Sequence, residues 1–228
     1  MPQYVMDRSS PSNSKMYQVQ VMMESGTLEG NLSVPENAGG VVLFAHGSGS
    51  SRYSPRNQFV ARVLQETGFA TLLIDLLTVD EEEQDQQTAH LRFDINLLSK
   101  RVVDATNWLT TQSTTANLKI GYFGASTGAA AALVAAAERP LAVGAVVSRG
   151  GRPDLAGSSL TQVQAPTLLV VGSKDTQVLE LNRMALSLLR SEKQIEVVPG
   201  ATHLFEEPGA LEKVARLAGE WFKRYLAG

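Results

Sequence analysis

Short apolar runs alternate with longer helical patterns along most of this 228-residue chain, and this alternation constrains its fold more than any other feature. A run such as Val41–Ala45 contains no polar residue, which is typical of a strand buried on both faces. Strands of this kind joined by helices form βα units, with a parallel sheet between two layers of helices. The predicted strands are Val41–Ala45, Ala70–Ile74, Leu118–Phe123, Gly144–Val147, Thr167–Val171 and Gln194–Val198. One predicted helix begins at Pro55, and the others span Leu91–Leu109, Thr127–Glu138, Val178–Leu189 and Leu211–Tyr225.

An antiparallel hairpin precedes these units. Tyr17–Met23 alternates polar and apolar residues, and a Ser-Gly turn leads into a second strand over Leu28–Val34. We therefore expect an α/β fold, a doubly wound and mostly parallel sheet of about eight strands with this hairpin in front of it. We expect a single domain over residues 17–228 without a cap domain, and a loose N-terminal tail rich in Ser, Pro and Asn over residues 1–16.

The composition excludes several kinds of functional site and binding partner. The chain has no cysteine, which excludes a disulfide scaffold, a thiolate zinc site, an iron–sulfur cluster and a cysteine nucleophile. Its 20 Lys and Arg against 23 Asp and Glu give a net charge of −3, so no basic field points to nucleic acid. The longest apolar run, Ala129–Ala137, has about half of the roughly 20 residues that span a bilayer, and no signal-peptide pattern begins the chain. We expect a cytoplasmic monomer or small homo-oligomer that acts on a small molecule, needs no metal or cofactor, and binds neither nucleic acid nor membrane.

The segment Gly124–Gly128 matches the pattern G-x-S-x-G where a predicted strand meets an alanine-rich helix. In this strand–turn–helix setting, a serine nucleophile stands exposed on a sharp turn. Gly124 and Gly128, two positions on either side of Ser126, avoid the side-chain collisions that such a turn would cause. The alternative is a glycine-rich loop in which Ser126 only caps the helix.

Asp175 and His203 each lie in the loop after a later predicted strand. Chemistry in doubly wound sheets collects past the carboxyl ends of the strands. The chain order Ser126, Asp175, His203 is also the order of the serine hydrolase triad on such sheets. We interpret these residues as nucleophile, orienting acid and general base, with Asp154 as a less well placed candidate for the acid.

The glycine-rich loop after Val41–Ala45 supplies backbone donors. Acyl transfer through an oxyanion needs two N–H groups already in place, and we assign them to the amides of Ser48 and Thr127. His46 precedes the nucleophile in sequence, so we interpret it as a structural residue that shapes the turn rather than as an alternative base. The loop lacks the Gly-Lys-Ser/Thr ending of a phosphate-binding loop.

The Gly-Ala-Ser-Thr-Gly turn, the His-Gly-Ser-Gly-Ser-Ser loop over residues 46–51 and the late Asp175 and His203 resemble the α/β-hydrolase fold. More narrowly, they resemble the small, capless members of the dienelactone hydrolase-like family, to which Leu91–Ile95 and Ser148–Pro153 are also similar. The resemblance covers almost the whole chain and implies hydrolysis through an acyl-enzyme. In some relatives the domain is fused to a phosphoribosyltransferase.

Two positions differ from the pattern of that family. Dienelactone hydrolases use a cysteine nucleophile, where this chain has Ser126. They also resemble one another in an arginine shortly after the catalytic histidine, which grips the substrate carboxylate. Glu206 and Glu207 follow His203 here, so we expect an uncharged ester rather than an anionic lactone.

The predicted reaction is hydrolysis of carboxylic esters with small or short-chain acyl groups, because short connections leave no room for a cap; lactones stay open as a class. The alternatives are a peptidase or perhydrolase with the same triad, and a non-catalytic binding module of this fold. Arg149 and Arg52 are candidates for substrate binding, with a structural ion pair as the alternative for each. The acidic segment Asp80–Asp85 is expected to be a solvated loop, or alternatively a lid beside the cleft.

Overall fold

The computed structural model describes residues 5, 6 and 15–227, which form nine strands, six α-helices and two 3₁₀ segments. The strands are β1 (Val5–Met6), β2 (Lys15–Met23), β3 (Gly26–Val34), β4 (Val41–Ala45), β5 (Ala70–Ile74), β6 (Ile120–Ala125), β7 (Val143–Arg149), β8 (Thr167–Gly172) and β9 (Lys193–Val198). The helices are α1 (Pro55–Glu66), α2 (Val79–Thr88), α3 (Ile95–Thr111), α4 (Thr127–Glu138), α5 (Thr176–Leu188) and α6 (Ala210–Tyr225), and the 3₁₀ segments are Leu91–Phe93 and Pro153–Gln162. The helix expected over Leu91–Leu109 is thus divided, because Asp94 caps α3 by accepting the Leu97 amide at 3.0 Å.

The strands form one sheet in the order β1-β2-β3-β5-β4-β6-β7-β8-β9. The pairs from β1 through β3 to β5 are antiparallel, and every pair from β5 to β9 is parallel. The predicted mostly parallel sheet with a leading hairpin is therefore confirmed. The predicted tail over residues 1–16 lies outside the described residues, except for Val5–Met6, which form β1, and Lys15 and Met16, which begin β2.

Both faces of the central strands are buried. Leu43 and Tyr122 belong to a core under α3 and α4, and Phe44 and Phe123, one residue along each strand, pack on the opposite face against α1 and α6. All four side chains are at most 1% exposed. Each buried Leu or Phe side chain contributes about 1.5–3 kcal/mol, so the apolar runs hold helices on both faces of the sheet.

The centre of the sheet contains a topological switch point. β4 lies between β5 and β6, so the chain leaves it toward one edge first and toward the other edge later. Loops after strands at a switch point diverge, and the crevice between them is where doubly wound folds bind ligands. Here the crevice lies between the loop that begins at His46 and the turn at Ser126.

The prediction of a solvated loop over Asp80–Asp85 is wrong, because this segment lies within α2. Thr78 and Glu81 form a reciprocal capping box, in which each side chain accepts the backbone amide of the other residue. At the other end, the buried carboxylate of Asp85 pairs with Arg92 at 2.5 Å and accepts amides of the following 3₁₀ segment. The helix is therefore fixed at both ends, which does not favour a mobile lid.

Candidate active site

Ser126 occupies the turn between β6 and α4 with φ 50° and ψ −123°. A residue other than glycine pays about 1–3 kcal/mol for such backbone angles, and they are found where a fold holds a functional side chain on a sharp turn. The Ser126 amide donates to the carbonyl of Arg149 at 3.3 Å, and its carbonyl accepts the amides of Arg152 at 3.0 Å and Ala129 at 3.1 Å. The strained turn is therefore held from the exit of β7 and from α4 itself.

Gly124 and Gly128 permit this turn by their lack of side chains. A Cβ on Gly128 would lie 2.2 Å from the carbonyl oxygen of Ala45 and 2.3 Å from that of His46, and a Cβ on Gly124 would lie 2.4 Å from Ala129 Cα. Backbone atoms do not accept such contacts. Only glycine therefore lets α4 begin directly against the end of β4.

The backbone amides of Ser48 and Thr127 lie close together at the sharp turn Gly124–Gly128 that carries Ser126, which we call the elbow. The Ser48 amide donates to Thr127 Oγ1 at 2.9 Å, across 79 positions of sequence. The Thr127 amide belongs to the first turn of α4, where backbone N–H groups have no partner within the helix. The two assigned donors thus lie together, and the Thr127 hydroxyl, whose role the sequence did not indicate, holds one of them.

His46 uses both ring nitrogens for the local structure. Its Nδ1 lies 2.9 Å from the carbonyl oxygen of Gly47, and its Nε2 accepts the Leu76 amide at 3.1 Å. These partners require a neutral ring with the proton on Nδ1. Burial lowers the pKa of His46, which also favours the neutral ring. The geometry agrees with the interpretation of His46 as a residue that shapes the loop.

His203 and Asp175 are brought together by two loops that bond to each other. His203 Nδ1 lies 2.6 Å from Asp175 Oδ2. Asp175 stands at the N-cap of α5 but makes no capping bond, so its carboxylate is available to the imidazole. The Lys174 amide donates to the carbonyl of Ala201 at 2.9 Å, and the Ser173 amide donates to that of Val198 at 3.0 Å. These backbone hydrogen bonds between the two loops fix the distance between the Asp175 carboxylate and the His203 imidazole.

The imidazole and the elbow lie against the same strand exit. A Cβ on Gly150 would lie 3.7 Å from His203 Cε1 and 3.2 Å from a ring carbon of Phe205. Gly150 directly follows Arg149, whose carbonyl accepts the Ser126 amide. Phe205 is 1% exposed and has φ 57°, so it anchors the histidine loop in the core. No pattern in the sequence marks Phe205 for this position.

Two other charged residues near the predicted site are engaged in ion pairs. Asp154, the second candidate for the acid, pairs with Arg152 at 2.8 Å. Arg52 pairs with Asp75 and, at 2.5 Å, with Glu29. Burial acts to lower the pKa of Arg52, but the charge of Asp75 and its hydrogen bond outweigh burial and raise the pKa. The structural alternative for Arg52 is therefore the one that the geometry supports.

Arg149 is buried beside the elbow. Its Nη2 donates to Asn57 Oδ1 in the first turn of α1 at 3.3 Å, a contact for which the sequence carried no signal. Burial, and to a smaller extent the charge of Arg56, lower the pKa of Arg149 to about 10, so the side chain remains charged at neutral pH. Among the residues that the structure describes, no carboxylate forms the ion pair expected as the alternative for Arg149.

A cleft of about 350 Å³ opens between α2 and the loop after β4. Its charged lining is mostly acidic and consists of Glu29, Arg52, Asp75, Glu82 and Glu83. Within residues 5–6 and 15–227, no group of three or more His, Cys, Asp or Glu side chains is arranged to hold a metal ion. No helix in that part of the chain combines the length and the apolar character needed to cross a membrane.

Comparison with known proteins gives a consistent family. The model of the dienelactone hydrolase family matches residues 28–226. The crystal structure of dienelactone hydrolase from Anabaena variabilis ATCC 29413 is 62% identical, covers 94% of this chain and 99% of that protein, and superposes with a TM-score of 0.93. A Mycobacterium tuberculosis (strain ATCC 25618 / H37Rv) protein named "Putative phosphoribosyl transferase" is 59% identical over 211 residues, which are 92% of this chain but 47% of that protein. The chain thus spans about half the length of the curated relatives it matches.

More distant solved structures share the fold. Est1E from Butyrivibrio proteoclasticus is 16% identical with a TM-score of 0.76, over 91% of this chain and 98% of that one. A dienelactone hydrolase-like promiscuous phosphotriesterase from metagenomic libraries is 17% identical with a TM-score of 0.75, over 94% and 100%. At these identities the likeness concerns the fold, which is that of the α/β-hydrolases.

Proposed function

Because the chain belongs to the dienelactone hydrolase family, we propose that it hydrolyses carboxylic esters with Ser126 as nucleophile. His203 acts as general base and acid in this proposal, and Asp175 orients the imidazole. The observation that carries the proposal is the backbone of Ser126, with φ 50° and ψ −123°. A serine in a merely structural loop has no need of a conformation that costs stability.

The reaction begins with proton transfer from Ser126 Oγ to His203 Nε2 as the oxygen attacks the ester carbonyl. The 2.6 Å contact with Asp175 supports this role, because it keeps the proton on Nδ1 and leaves Nε2 free to accept one. The carboxylate also stabilises the imidazolium that forms. His203 then returns the proton to the leaving alcohol, and water releases the acid from the acyl-enzyme by the same steps.

In this proposal the amides of Ser48 and Thr127 donate hydrogen bonds to the negatively charged oxygen of the tetrahedral intermediate. The Ser48 amide donates to Thr127 Oγ1 in the free protein, so it must exchange this acceptor for the oxyanion. A neutral hydrogen bond contributes about 0.5–1.5 kcal/mol, and one oxyanion donor contributes about 2.7–4 kcal/mol to the transition state. The exchange is therefore favourable only in the transition state, which is where it accelerates the reaction.

We infer a preference for small or short-chain acyl groups. The described chain is occupied by the sheet and its packed helices, and α2, the helix inserted after β5, is tied down at both ends. The phosphoribosyl transferase name of the mycobacterial relative refers to a protein of about twice the matched length. The proposal for this chain rests on its own residues.

Labelling with a fluorophosphonate probe tests the nucleophile. We expect the native protein to be labelled, Ser126→Ala to remain unlabelled, and Ser187→Ala, at an exposed serine of α5, to be labelled like the native protein. A native protein that is not labelled and has no esterase activity would support the non-catalytic binding module instead.

A series of p-nitrophenyl esters tests the substrate class. We expect faster turnover of acetate and butyrate than of octanoate, and octanoate as the best substrate would overturn the size preference. Peptide anilides and a peroxide-dependent halogenation assay address the peptidase and perhydrolase alternatives. Turnover of either in preference to the esters would replace the ester assignment while leaving the role of Ser126 intact.

A further inference from the structure

Asn182 is a fully buried polar residue to which the proposed mechanism gives no role. It lies in α5 at 0% exposure, on a buried face that it shares with Val178, Leu179 and Ala185. Asparagine is a poorer helix former than leucine or alanine, and its Oδ1 has no hydrogen-bond partner among the described residues. Such a buried acceptor costs stability, so the reason to retain this side chain lies in its Nδ2 donors.

The Nδ2 group of Asn182 connects two segments of the fold. It donates to the carbonyl of Val178 at 2.8 Å, within α5, and to the carbonyl of Gly151 at 2.9 Å. Both partners are acceptors, which fixes the orientation of the amide. Gly151 belongs to residues 149–152, where the chain leaves β7, and we call this segment the β7 exit. The side chain therefore bonds α5 to the β7 exit.

The β7 exit holds the turn that carries Ser126. The carbonyl of Arg149 accepts the Ser126 amide at 3.3 Å, and the Arg152 amide donates to the Ser126 carbonyl at 3.0 Å. Gly150 and Gly151 lie between the two residues that make these bonds. A shift of the two glycines would therefore move the contacts on both sides of the proposed nucleophile.

The two glycines do not fix this conformation by themselves. Glycine adopts many backbone conformations, and Gly150 has φ 50°. Its amide donates to the carbonyl of Val170 at 2.8 Å, which holds the first glycine on β8. The carbonyl of the second, Gly151, is held by Asn182. A Cβ on Gly151 would lie 2.6 Å from the Cβ of Ala129, so a less flexible residue has no room there.

The β7 exit also lies against the other half of the proposed triad. Asp175 is the N-cap residue of α5, seven positions before Asn182, and residues at this spacing lie on the same face of a helix. A Cβ on Gly150 would lie 3.7 Å from His203 Cε1. The segment that Asn182 holds thus contacts both the turn of the nucleophile and the imidazole.

We propose that Asn182 is a positioning residue, which fixes the β7 exit through the carbonyl of Gly151 and thereby sets the position of Ser126 relative to His203. The inference deepens the proposed ester hydrolysis and rests on it. Without the Nδ2 donors, the buried carbonyl of Gly151 loses its partner, and the exit shifts to find another. A displacement of about 1 Å caused far from the reacting atoms can lower the rate about 100-fold.

Two variants remove the bond to Gly151 in different ways. Asn182→Leu replaces the amide by an apolar group of similar size. In Asn182→Ser, the hydroxyl can still donate to Val178, four positions earlier, as serine does in helices, but it does not reach Gly151. We expect kcat for p-nitrophenyl acetate to fall roughly 10- to 100-fold in both variants. Because acylation and deacylation need the same alignment, KM should stay within about threefold of the native value.

The rate of fluorophosphonate labelling reports the attack of Ser126 alone and should fall by the same factor, at a temperature where circular dichroism shows every variant folded. Leu109→Ala is the control for lost stability, since Leu109 is 0% exposed in the last turn of α3, before the start of β6, whereas Ser126 follows the end of that strand. Its cavity should lower Tm and leave kcat and labelling unchanged. Asn107→Leu makes the Asn182→Leu substitution inside α3 instead and should also leave both rates unchanged.

Hydrogen exchange of backbone amides gives a readout that does not depend on turnover. The amides of Gly150 and Arg152, which donate to Val170 and Ser126 in the native protein, should exchange faster in both variants. In Leu109→Ala these two amides should exchange as in the native protein at temperatures below its Tm.

The outcomes distinguish the two proposals. A native protein that is neither labelled nor active on esters would overturn the proposed function, whereas faster exchange in the variants would still support the hold of Asn182 on the β7 exit. Native kcat and labelling rates in either folded variant, or unchanged exchange at Gly150 and Arg152, would overturn the inference and leave the esterase proposal standing. If Asn182→Leu does not fold, Asn182→Ser gives the same readouts.

Discussion

Replacing Gly128 by alanine would separate the two segments that carry the proposed oxyanion donors. The new Cβ would lie 2.2 Å from the carbonyl oxygen of Ala45 and 2.3 Å from that of His46. An ordinary carbon–oxygen contact is about 3.3 Å, so α4 and the end of β4 must part by about 1 Å. The Thr127 amide moves with the helix and the Ser48 amide stays with the loop.

The size of the destabilisation follows from the fact that the new Cβ would meet backbone atoms of Ala45 and His46 rather than a side chain. Overpacking costs about 1–3 kcal/mol, and the upper end applies to Gly128 because no flexible side chain can yield. For a chain of this size about 3 kcal/mol corresponds to a fall in Tm of about 6–12 °C. A displacement of 1 Å at a reacting centre costs about 100-fold in rate. We therefore expect kcat/KM for p-nitrophenyl acetate to fall at least about 100-fold.

Gly219→Ala is the matched control, because it makes the same chemical change inside α6. Its Cβ would lie 3.8 Å from Leu64 and 3.9 Å from Thr67, in ordinary contact. Alanine favours the helix interior by about 0.5–1 kcal/mol, so Tm should rise slightly while kcat/KM stays unchanged. Thermal unfolding followed by circular dichroism and the ester assay measure both effects. A folded Gly128→Ala with native kcat/KM would refute the reasoning that this close approach sets the oxyanion amides.

Three further predictions follow from single contacts. Asp175→Asn should lower kcat/KM about 10,000-fold by loss of the correct imidazole tautomer, and Asp154→Asn should change it less than about threefold; equal effects in the ester assay would contradict the assignment of the acid. Ser126→Gly should be more stable than Ser126→Ala by about 1 kcal/mol in urea unfolding, because glycine relieves the left-handed backbone; a more stable Ser126→Ala would mean that the turn holds no strain. Burial acts to raise the pKa of Asp85, but its hydrogen bonds to the 3₁₀ segment outweigh burial and hold the pKa below the usual range. The carboxylate therefore stabilises the fold above about pH 4, and this stabilisation is lost as the pH falls through the folded pKa of Asp85. The Tm of Asp85→Asn should therefore lie below that of the native protein near neutral pH, with the difference closing below about pH 4, and a difference independent of pH would exclude the charge as its cause.

The elements that position the site could be predicted because their signals are local. The strand before Ser126, the elbow glycines and the alanine-rich start of α4 lie within one short stretch, and each has a steric reason to be where it is. The helix α2 could also have been predicted, since Thr78 and Glu81 form the Thr-x-x-Glu signature of a capping box. The acidic composition of the segment concealed that signal, because a run of charges is more often a solvated loop.

Side-chain partners across the fold could not be predicted in the same way. Asn57 meets Arg149 across 92 positions, and Ser48 meets Thr127 across 79. Such pairs depend on how β4, β6 and β7 lie beside one another and on where α1 begins relative to the sheet. A hydrophobic pattern of period two or 3.6 predicts the face of a strand or helix on which a residue lies, but it does not predict which residue the side chain contacts there.

Charge at the site shows the consequence of this limit most clearly. Counted along the sequence, Glu206 and Glu207 after His203 make the neighbourhood negative, and the inference of an uncharged substrate follows directly. In the fold, one glutamate is neutralised by Arg56 and the other is bonded to a backbone amide, while Arg149, distant in sequence, has no opposite charge among the described residues. The burial of a charge and its partners decide what it offers a ligand, and neither can be read from a count of charges along the local sequence.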